Sequence, residues 1–291
     1  RIRATIDEYP GRFTVAEVGG PEPLEEMKAF TADGKRLDSA YNFDFLYAPD
    51  LTADLVRRTL SNWDGTPGEG WPSWAFSNHD APRATSRWSG DGTIANTARL
   101  AMLLLLSLRG NPIIYQGEEL GLPQGFVAFE DLQDPEAIAN WPHTLGRDGA
   151  RTPLPWAESA PQAGFSCANR TWLKLDEAHK PLAVDQQVAE PGSMVSYTRD
   201  LLGLRSSLHA MVSGDSELLD SPREVVAFIR RSDTSAVLCV FNLGDTAVDW
   251  TVPDEFANAE VVASAAGVAP AGTPARSIPS RAGYWATLGD S

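Results

Sequence analysis

The first two thirds of the chain alternate between short apolar runs and longer amphipathic segments. The short runs are rich in aromatic and β-branched residues and end at Gly, Pro or Asn, which predicts buried strands. They cover residues 13–18, 40–47, 74–77 and 112–116. Helix-type spacing fills the intervals at 23–30, 50–62 and 94–108, the last capped by Asp91 to Thr93. This alternation predicts an α/β fold with parallel strands joined by right-handed crossovers.

The pattern changes in the last third. Between Leu120 and Pro191 regular periodicity fades, which is typical either of a binding loop or of a segment that holds short helices. An amphipathic helix is predicted from Ser193 to Met211. Short strands separated by turn residues follow at 225–231, 236–243, 247–252, 260–263 and 283–288. The sequence therefore predicts two domains, 1–212 and 213–291, the second a small antiparallel domain.

Charge and composition restrict the partners. The 291 residues carry a net charge of −15, which disfavours binding to nucleic acid and to anionic membrane surfaces. No apolar run is long enough for a transmembrane helix. Neutral or cationic small molecules are the expected substrates. The two cysteines, Cys167 and Cys239, have no metal-binding or redox spacing.

The amino-terminal residues indicate a fragment. Arg1 to Tyr9 has the pattern of a helix end, and Pro10-Gly11 terminates it, yet nothing precedes Ile2 that would cap its start. We therefore expect the chain to be part of a longer protein. The absence of a targeting sequence then carries no information about localisation.

Candidate chemistry stands at the ends of two predicted strands. Asn78-His79-Asp80 follows the Trp74 strand, and Glu17 closes the Phe13 strand. The carboxyl ends of parallel strands are where α/β enzymes place their reactive groups. A carboxylate such as Glu17 is costly at the end of an apolar strand unless it faces a polar cleft. A turn without function is the alternative for the Asn-His-Asp triplet.

Four ordered motifs resemble glycoside hydrolase family 13, the α-amylase family, in its α-glucosidase and oligo-1,6-glucosidase branch. They are Phe13-Thr-Val-Ala-Glu-Val-Gly19, Phe76-Ser-Asn-His-Asp-Ala-Pro-Arg83, Gly110-Asn-Pro-Ile-Ile-Tyr-Gln-Gly-Glu-Glu-Leu-Gly121 and Gly146-Arg-Asp-Gly-Ala-Arg-Thr-Pro-Leu-Pro-Trp156. The resemblance covers essentially the whole chain. It implies the C-terminal half of a (β/α)8 TIM barrel, strands five to eight, followed by a small antiparallel β-sandwich domain.

The resemblance also implies catalytic roles. Glu17 matches the acid/base of a retaining glycosidase, and partial desolvation would raise its pKa towards neutrality. Asp80 matches the family's third carboxylate, which hydrogen-bonds to the sugar hydroxyls and stabilises the transition state. The nucleophile, an Asp at the end of strand four, is expected upstream of Arg1. The isolated chain is therefore expected to be inactive.

Three further residues are implied in substrate binding. His79 would bind the same hydroxyls as Asp80, although a buried structural histidine is the alternative. Arg147 would close the pocket around the non-reducing end together with an upstream Asp. Phe43 would stack on the leaving-group sugar, and a core role is nearly as well supported. Structural roles are expected for Arg83, Arg151 and Trp156, which would tie loops to the barrel rim, and for the Glu118-Glu119 pair.

The sequence thus predicts an exo-acting α-glucosidase that uses small, maltose-like or sucrose-like α-glucosides. The alternatives are a sucrose hydrolase, a trehalose or isomaltulose synthase, a non-catalytic relative such as a transporter heavy subunit, and a carbohydrate-binding module. Gln124 stands where Glu is expected in many relatives, so leaving-group preference stays open. No cofactor and no metal ligand are predicted, and a structural calcium would belong to the upstream half. A cytoplasmic location is expected.

Overall fold

The structure is a computed structural model that describes residues 1–63, 70–90, 92–144, 146–269 and 271–288. Asp91, part of the predicted helix cap, lies outside the described residues. These residues form two compact units. The first unit contains Arg1–Ala75, Leu103–Ile113 and Leu204–Ser291, and the second contains Phe76–Met102 and Ile114–Gly203. The predicted domain boundary between residues 212 and 213 stays a prediction.

The first unit holds a four-stranded parallel sheet in the order β1-β2-β3-β4. Every predicted strand of this sheet exists. Three of them are shorter than their apolar runs, whereas the strand predicted at 74–77 keeps its length and begins two residues earlier. Apolar residues that follow the last hydrogen-bonded pair of a strand belong to the loop, although the sequence pattern continues through them. The bounds are Val15–Ala16 (β1), Ser39–Asn42 (β2), Pro72–Ala75 (β3) and Asn111–Ile113 (β4).

The prediction of a strand through Tyr47 was wrong, because β2 ends at Asn42. The Asn42 Oδ1 atom accepts a hydrogen bond of 2.8 Å from the Asp44 N–H, and the Leu46 N–H donates to the Phe43 carbonyl. Asn favours this type of side-chain turn. The chain therefore bends directly at the carboxyl end of β2, and Phe43 lies in the turn.

Most predicted helices are present. Thr52 caps α3 because its Oγ accepts a hydrogen bond from the Leu55 N–H, and Pro23 occupies the first turn of α2. The predicted helix 193–211 is divided at Leu208, which has extended backbone angles. The helices are Ile2–Ile6 (α1), Pro23–Thr31 (α2), Ala53–Asn62 (α3), Ala84–Trp88 (α4), Ile94–Ser107 (α5), Pro135–Asn140 (α6), Val184–Gln187 (α7), Met194–Ser207 (α8) and His209–Ser213 (α9).

The first unit also holds two antiparallel sheets, one of five strands in the order β5-β6-β7-β11-β9 and one pairing β10 with β8. Two strands, β5 and β10, were not predicted because one is largely polar and the other very short. The bounds are Asp215–Leu219 (β5), Val225–Arg231 (β6), Ala236–Asn242 (β7), Val248–Asp249 (β8), Glu260–Ala265 (β9), Ser277–Ile278 (β10) and Ala282–Thr287 (β11).

Alternate residues of these strands share one buried core. Val225, Ala227 and Ile229 of β6 lie in it with Trp250 and Tyr284. Tyr284 donates its hydroxyl to the Ala275 carbonyl at 3.2 Å, so its buried polar atom is satisfied. Every second residue of β6 from Val225 to Ile229 therefore faces this core.

Candidate active site

The loop after β3 presents two polar side chains to solvent. The Asn78 Oδ1 atom accepts hydrogen bonds from the Asp80 N–H at 2.8 Å and from the Ala81 N–H at 2.9 Å. This turn leaves 67% of the His79 side chain and 38% of the Asp80 side chain exposed. The two groups are close, with His79 Nε2 3.5 Å from Asp80 Oδ2. His79 is therefore not a buried structural histidine.

Two arginines contact the Asp80 carboxylate. The Arg151 Nη2 atom lies 2.7 Å from Asp80 Oδ1, and Arg147 Nη1 lies 3.5 Å from the same oxygen. Arg151 also donates through Nε to the His79 carbonyl at 2.6 Å. Arg151, expected to have a structural role, therefore contacts both candidate residues of this loop. Both arginines contact Oδ1 of Asp80. The other oxygen, Oδ2, can therefore accept a hydrogen bond from a ligand hydroxyl.

Arg147 has a second and closer carboxylate partner, Asp134. Its Nε and Nη2 atoms donate to the two Asp134 oxygens at 3.0 and 2.7 Å, and its backbone N–H donates at 2.8 Å. These hydrogen bonds hold the pKa of the buried Asp134 carboxyl well below its usual range. The sequence interpretation expected an upstream Asp as the partner and missed Asp134, which also caps α6.

The Arg147 loop depends on one glycine. Gly146 has a left-handed φ of 61°, and a Cβ atom there would stand 2.6 Å from Asp134 Oδ2. The absent side chain lets the Arg147 backbone approach the carboxylate. Beneath this contact, the buried Asp148 accepts hydrogen bonds from the N–H groups of Gln133 and Asp134 at 2.7 and 2.9 Å. A fixed carboxylate thus orients a fixed guanidinium.

Glu17 and Phe43 belong to the first unit, at the carboxyl ends of the neighbouring strands β1 and β2. The structure describes Glu17 as exposed, so the expected partial desolvation is not present in this chain. Phe43 is half-buried. Its ring is nearly parallel to that of Tyr47, at 6° and 6.4 Å between centroids, and lies 5.0 Å from the Tyr41 ring. An aromatic cluster therefore lines the end of β2.

The expected loop anchors fall into two groups. Arg83 is buried and donates to the carbonyls of Gln116 and Ala150, so it ties loops together as predicted. Glu118 and Glu119 accept backbone hydrogen bonds within their own loop, from the N–H groups of Tyr115 and Gly117. Trp156 is 51% exposed, and its backbone donates to the Ala163 carbonyl at 2.8 Å and accepts from the Asp185 N–H at 3.0 Å. The predicted tie between its indole and the barrel rim stays a prediction.

The part of the chain that the structure describes contains no cluster of three or more His, Cys, Asp or Glu residues able to hold a metal ion. Both cysteines are free, Cys167 exposed and Cys239 buried. Among the described residues no helix is long and apolar enough to cross a membrane. The absence of a cofactor stays a prediction.

Comparison with known proteins gives the family. The model of the α-amylase catalytic domain matches residues 1–214. A probable α-glucosidase of Rhizobium meliloti is 40% identical over 256 residues, which are 87% of this chain and 46% of the relative. A glucan 1,6-α-glucosidase of Streptococcus pneumoniae is 30% identical over 82% of this chain and 50% of its own length. The chain spans about half the length of these relatives.

Solved structures agree with this similarity. The α-glucosyl transfer enzyme XgtA has a TM-score of 0.88 and 38% identity, over 99% of this chain and 53% of the other. A variant of the trehalulose synthase MutB has a TM-score of 0.85 and 26% identity, over 99% of this chain and 57% of the other.

The parallel sheet and the helices between its strands are those of a (β/α)8 barrel. The chain belongs to the α-amylase family. Its fold is the one the sequence predicted, the C-terminal half of a (β/α)8 barrel followed by a small antiparallel β-sandwich.

Proposed function

We propose that this chain is part of a retaining, exo-acting α-glucosidase. The observation that carries the proposal is the exposed pair His79 and Asp80, held by Arg151 and Arg147 on the loop that follows β3. A carboxylate, an imidazole and two guanidinium groups offer both acceptors and donors to the vicinal hydroxyls of a sugar. Relatives named as α-glucosidases and a glucan 1,6-α-glucosidase support the same class of reaction.

In the proposed reaction, Glu17 protonates the leaving glycosidic oxygen. A nucleophilic carboxylate from another part of the protein attacks the anomeric carbon, and the aglycone departs with the proton. Glu17 then removes a proton from water, which attacks the glycosyl-enzyme and releases glucose with retained configuration. Asp80 binds ring hydroxyls and stabilises the positive charge that develops at the transition state. Phe43 stacks on the leaving-group sugar.

Exo action follows from Arg147. Because Asp134 accepts two hydrogen bonds from the guanidinium and one from the backbone N–H of Arg147, the side chain cannot move aside for a longer glucan without breaking the two guanidinium bonds. We infer that it blocks extension beyond the terminal glucose and binds that residue. The proposed substrates are therefore small α-glucosides with a free non-reducing end. The proposed nucleophile is a carboxylate from another part of the protein, so we expect the 291-residue polypeptide by itself not to turn over substrate.

The test uses the natural full-length polypeptide, this 291-residue polypeptide and an aryl α-glucoside. The full-length protein should release the phenol and, by NMR, α-glucose as the first product. The Glu17→Gln variant should lose activity by about 10³-fold or more, with partial recovery on an aryl leaving group of low pKa that needs no protonation. Release of β-glucose, or turnover by the 291-residue polypeptide alone, contradicts the proposal.

Glucosyl transfer is the second candidate, because XgtA is named as an α-glucosyl transfer enzyme and MutB as a trehalulose synthase. In that case the glycosyl-enzyme reacts with an alcohol or a sugar instead of water. Incubation with maltose or sucrose and a simple alcohol, followed by product analysis, separates the two. Glucose alone supports hydrolysis, and an alkyl α-glucoside or a sucrose isomer supports transfer. A lack of reaction on every substrate favours the non-catalytic alternatives.

A further inference from the structure

Glu118 is a buried carboxyl group to which the proposed chemistry gives no role. It follows β4 in the Gly117-Glu118-Glu119 turn and is only 8% exposed. Its Oε2 atom accepts a hydrogen bond of 2.8 Å from the Tyr115 N–H. Burying a carboxyl group is costly, so the contacts of its other oxygen indicate what the residue does.

That other oxygen is connected to the loop that carries His79 and Asp80. The Ser77 Oγ atom donates to Glu118 Oε1 at 2.7 Å and accepts from the Ala84 N–H at 2.9 Å. Ser77 begins this loop, and Ala84 begins the helix α4 that ends it. One chain of hydrogen bonds therefore joins both ends of the loop to a single carboxyl group, and the exposed His79 and Asp80 lie between them.

The same loop is supported at Arg83. Its backbone N–H donates to Gln124 Oε1, and its side chain donates to the Gln116 carbonyl, both at 2.8 Å. A Cβ atom on Gly117, which has a left-handed φ of 92°, would stand 2.8 Å from Arg83 Nη1. The backbone beside Glu118 is thus shaped to bring the β4 loop and the His79-Asp80 loop together.

The surroundings of the Glu118 carboxyl group bring its pKa close to neutral pH. Burial raises the pKa of Glu118 to about 7, against hydrogen bonds from Ser77 and Tyr115 that lower it. Arg83 favours the charged form and Glu119 disfavours it. Arg87 also interacts with Glu118, and burial lowers the pKa of its guanidinium to about 10.

We propose that Glu118 is a positioning residue that sets the geometry of His79 and Asp80 through Ser77. The inference rests on the proposed glycosidase function and adds the residue that holds its substrate-binding loop in place. Replacement by Gln keeps an acceptor oxygen for the Tyr115 N–H but puts an amide donor opposite Ser77 Oγ, which already accepts from the Ala84 N–H. The hydrogen bond that Ser77 donates to Glu118 is therefore lost. The loop would then lose the shared anchor at one of its ends.

Glu119 supplies a matched control. It has the same side chain in the same turn and accepts from the Gly117 N–H at 2.7 Å. In the natural full-length polypeptide, Glu118→Gln should lower kcat for an aryl α-glucoside by about 10–100-fold, the range typical of supporting hydrogen bonds. Glu119→Gln should stay within about twofold. Hydrogen exchange at the Asp80, Ala81 and Ala84 amides should accelerate in Glu118→Gln and not in Glu119→Gln.

Ser77→Ala keeps the test decisive if Glu118→Gln does not fold. It removes the link from the loop side and should reproduce the loss in kcat, and the double variant should be no worse than the poorer single variant. Equal activity and equal loop exchange in the two Glu→Gln variants, or a lower Tm with unchanged kcat, overturns the proposal. If the unaltered protein hydrolyses no α-glucoside, the proposed function fails while the exchange comparison still decides whether Glu118 holds the loop.

Discussion

Arg147 and Arg151 share one carboxylate but are held in different ways. Arg151 donates to both the Asp80 side chain and the His79 carbonyl, so its guanidinium is bound to that loop at two points. Arg147 is anchored instead by the buried Asp134, and its contact with Asp80 is longer. The pair therefore combines an arginine fixed to the loop with one fixed to its own surroundings.

Asp134→Asn should reduce activity through Arg147, although residue 134 is not proposed to contact the substrate. The amide keeps one acceptor oxygen but loses the charge that orients Arg147, so kcat/KM for an aryl α-glucoside should fall by roughly tenfold. The pKa of Asp134 is lowered by Arg147, so the carboxylate contributes stability above its unfolded pKa near 4, and this contribution is lost as the pH falls.

Thermal unfolding of both proteins from pH 7 to pH 3 checks this sign. Asp134→Asn should have a lower Tm at pH 7, and the difference should shrink towards pH 3. Glu136→Gln in the same first turn of α6 is the control and should unfold like the unaltered protein. A constant difference at all pH values would show that the Asp134 charge makes no contribution.

Gly146→Ala tests whether the close approach to Asp134 needs glycine. A Cβ atom would be 2.5 Å from the Ala137 Cβ atom, and the left-handed φ of 61° disfavours any side chain. We expect a loss of about 1–3 kcal/mol in the free energy of unfolding and a raised KM. Gly192→Ala is the control, because Gly192 has a φ of 83° but open space around it. Denaturant titration of both variants then separates the cost of the close contact from the cost of the left-handed backbone.

At the scale of elements, a buried arginine joins β6 to its surroundings. The Arg230 guanidinium donates to the carbonyls of Ser107, Gly214 and Asp215 at 2.9, 2.7 and 3.2 Å. Burial lowers its pKa to about 10. These three carbonyls end α5 and begin β5, so one side chain satisfies the termini of two elements within the first unit.

Arg230→Met should therefore destabilise the protein by about 3 kcal/mol, because buried carbonyls are left without donors. Arg231→Met is the control. That neighbouring side chain is exposed and forms one ion pair of 3.0 Å with Glu255, so its loss should change little. Urea denaturation of the two variants gives the comparison, and equal destabilisation would contradict the role assigned to Arg230.

The limits of sequence-based prediction are visible in the same elements. The apolar runs located every strand of the parallel sheet, and the motifs located the His79-Asp80 loop and Arg147. The ends of β2 and α8 were misplaced because Asn42 and Leu208 change the backbone direction by local geometry within an apolar pattern. Asp134 and the contact of Arg151 with Asp80 were missed because loop packing, not periodicity, brings these residues together.

At the scale of the whole molecule, the acidity makes the pH response of individual carboxyl groups important. Because burial raises the pKa of Glu118 from 4.5 to about 7, the folded protein holds the carboxyl proton more tightly than the unfolded chain does. The stability that this proton binding contributes is fully present below pH 4.5 and is lost as the pH rises to 7. Between these limits the unaltered protein should lose about 3 kcal/mol of unfolding free energy relative to Glu118→Gln. Parallel denaturation curves at pH 4.5, 6 and 7.5 measure this difference directly.

The order of the parallel sheet suggests a practical use. Among the described residues, β1 and β4 each pair with one neighbouring strand, so the outer edge of each can accept a strand from a separate polypeptide. Fusing this chain and a complementary barrel segment to two interacting proteins would make a split reporter. With the proposed α-glucosidase activity restored in the reassembled barrel, colour from an aryl glucoside would report that the two fusion partners had bound each other.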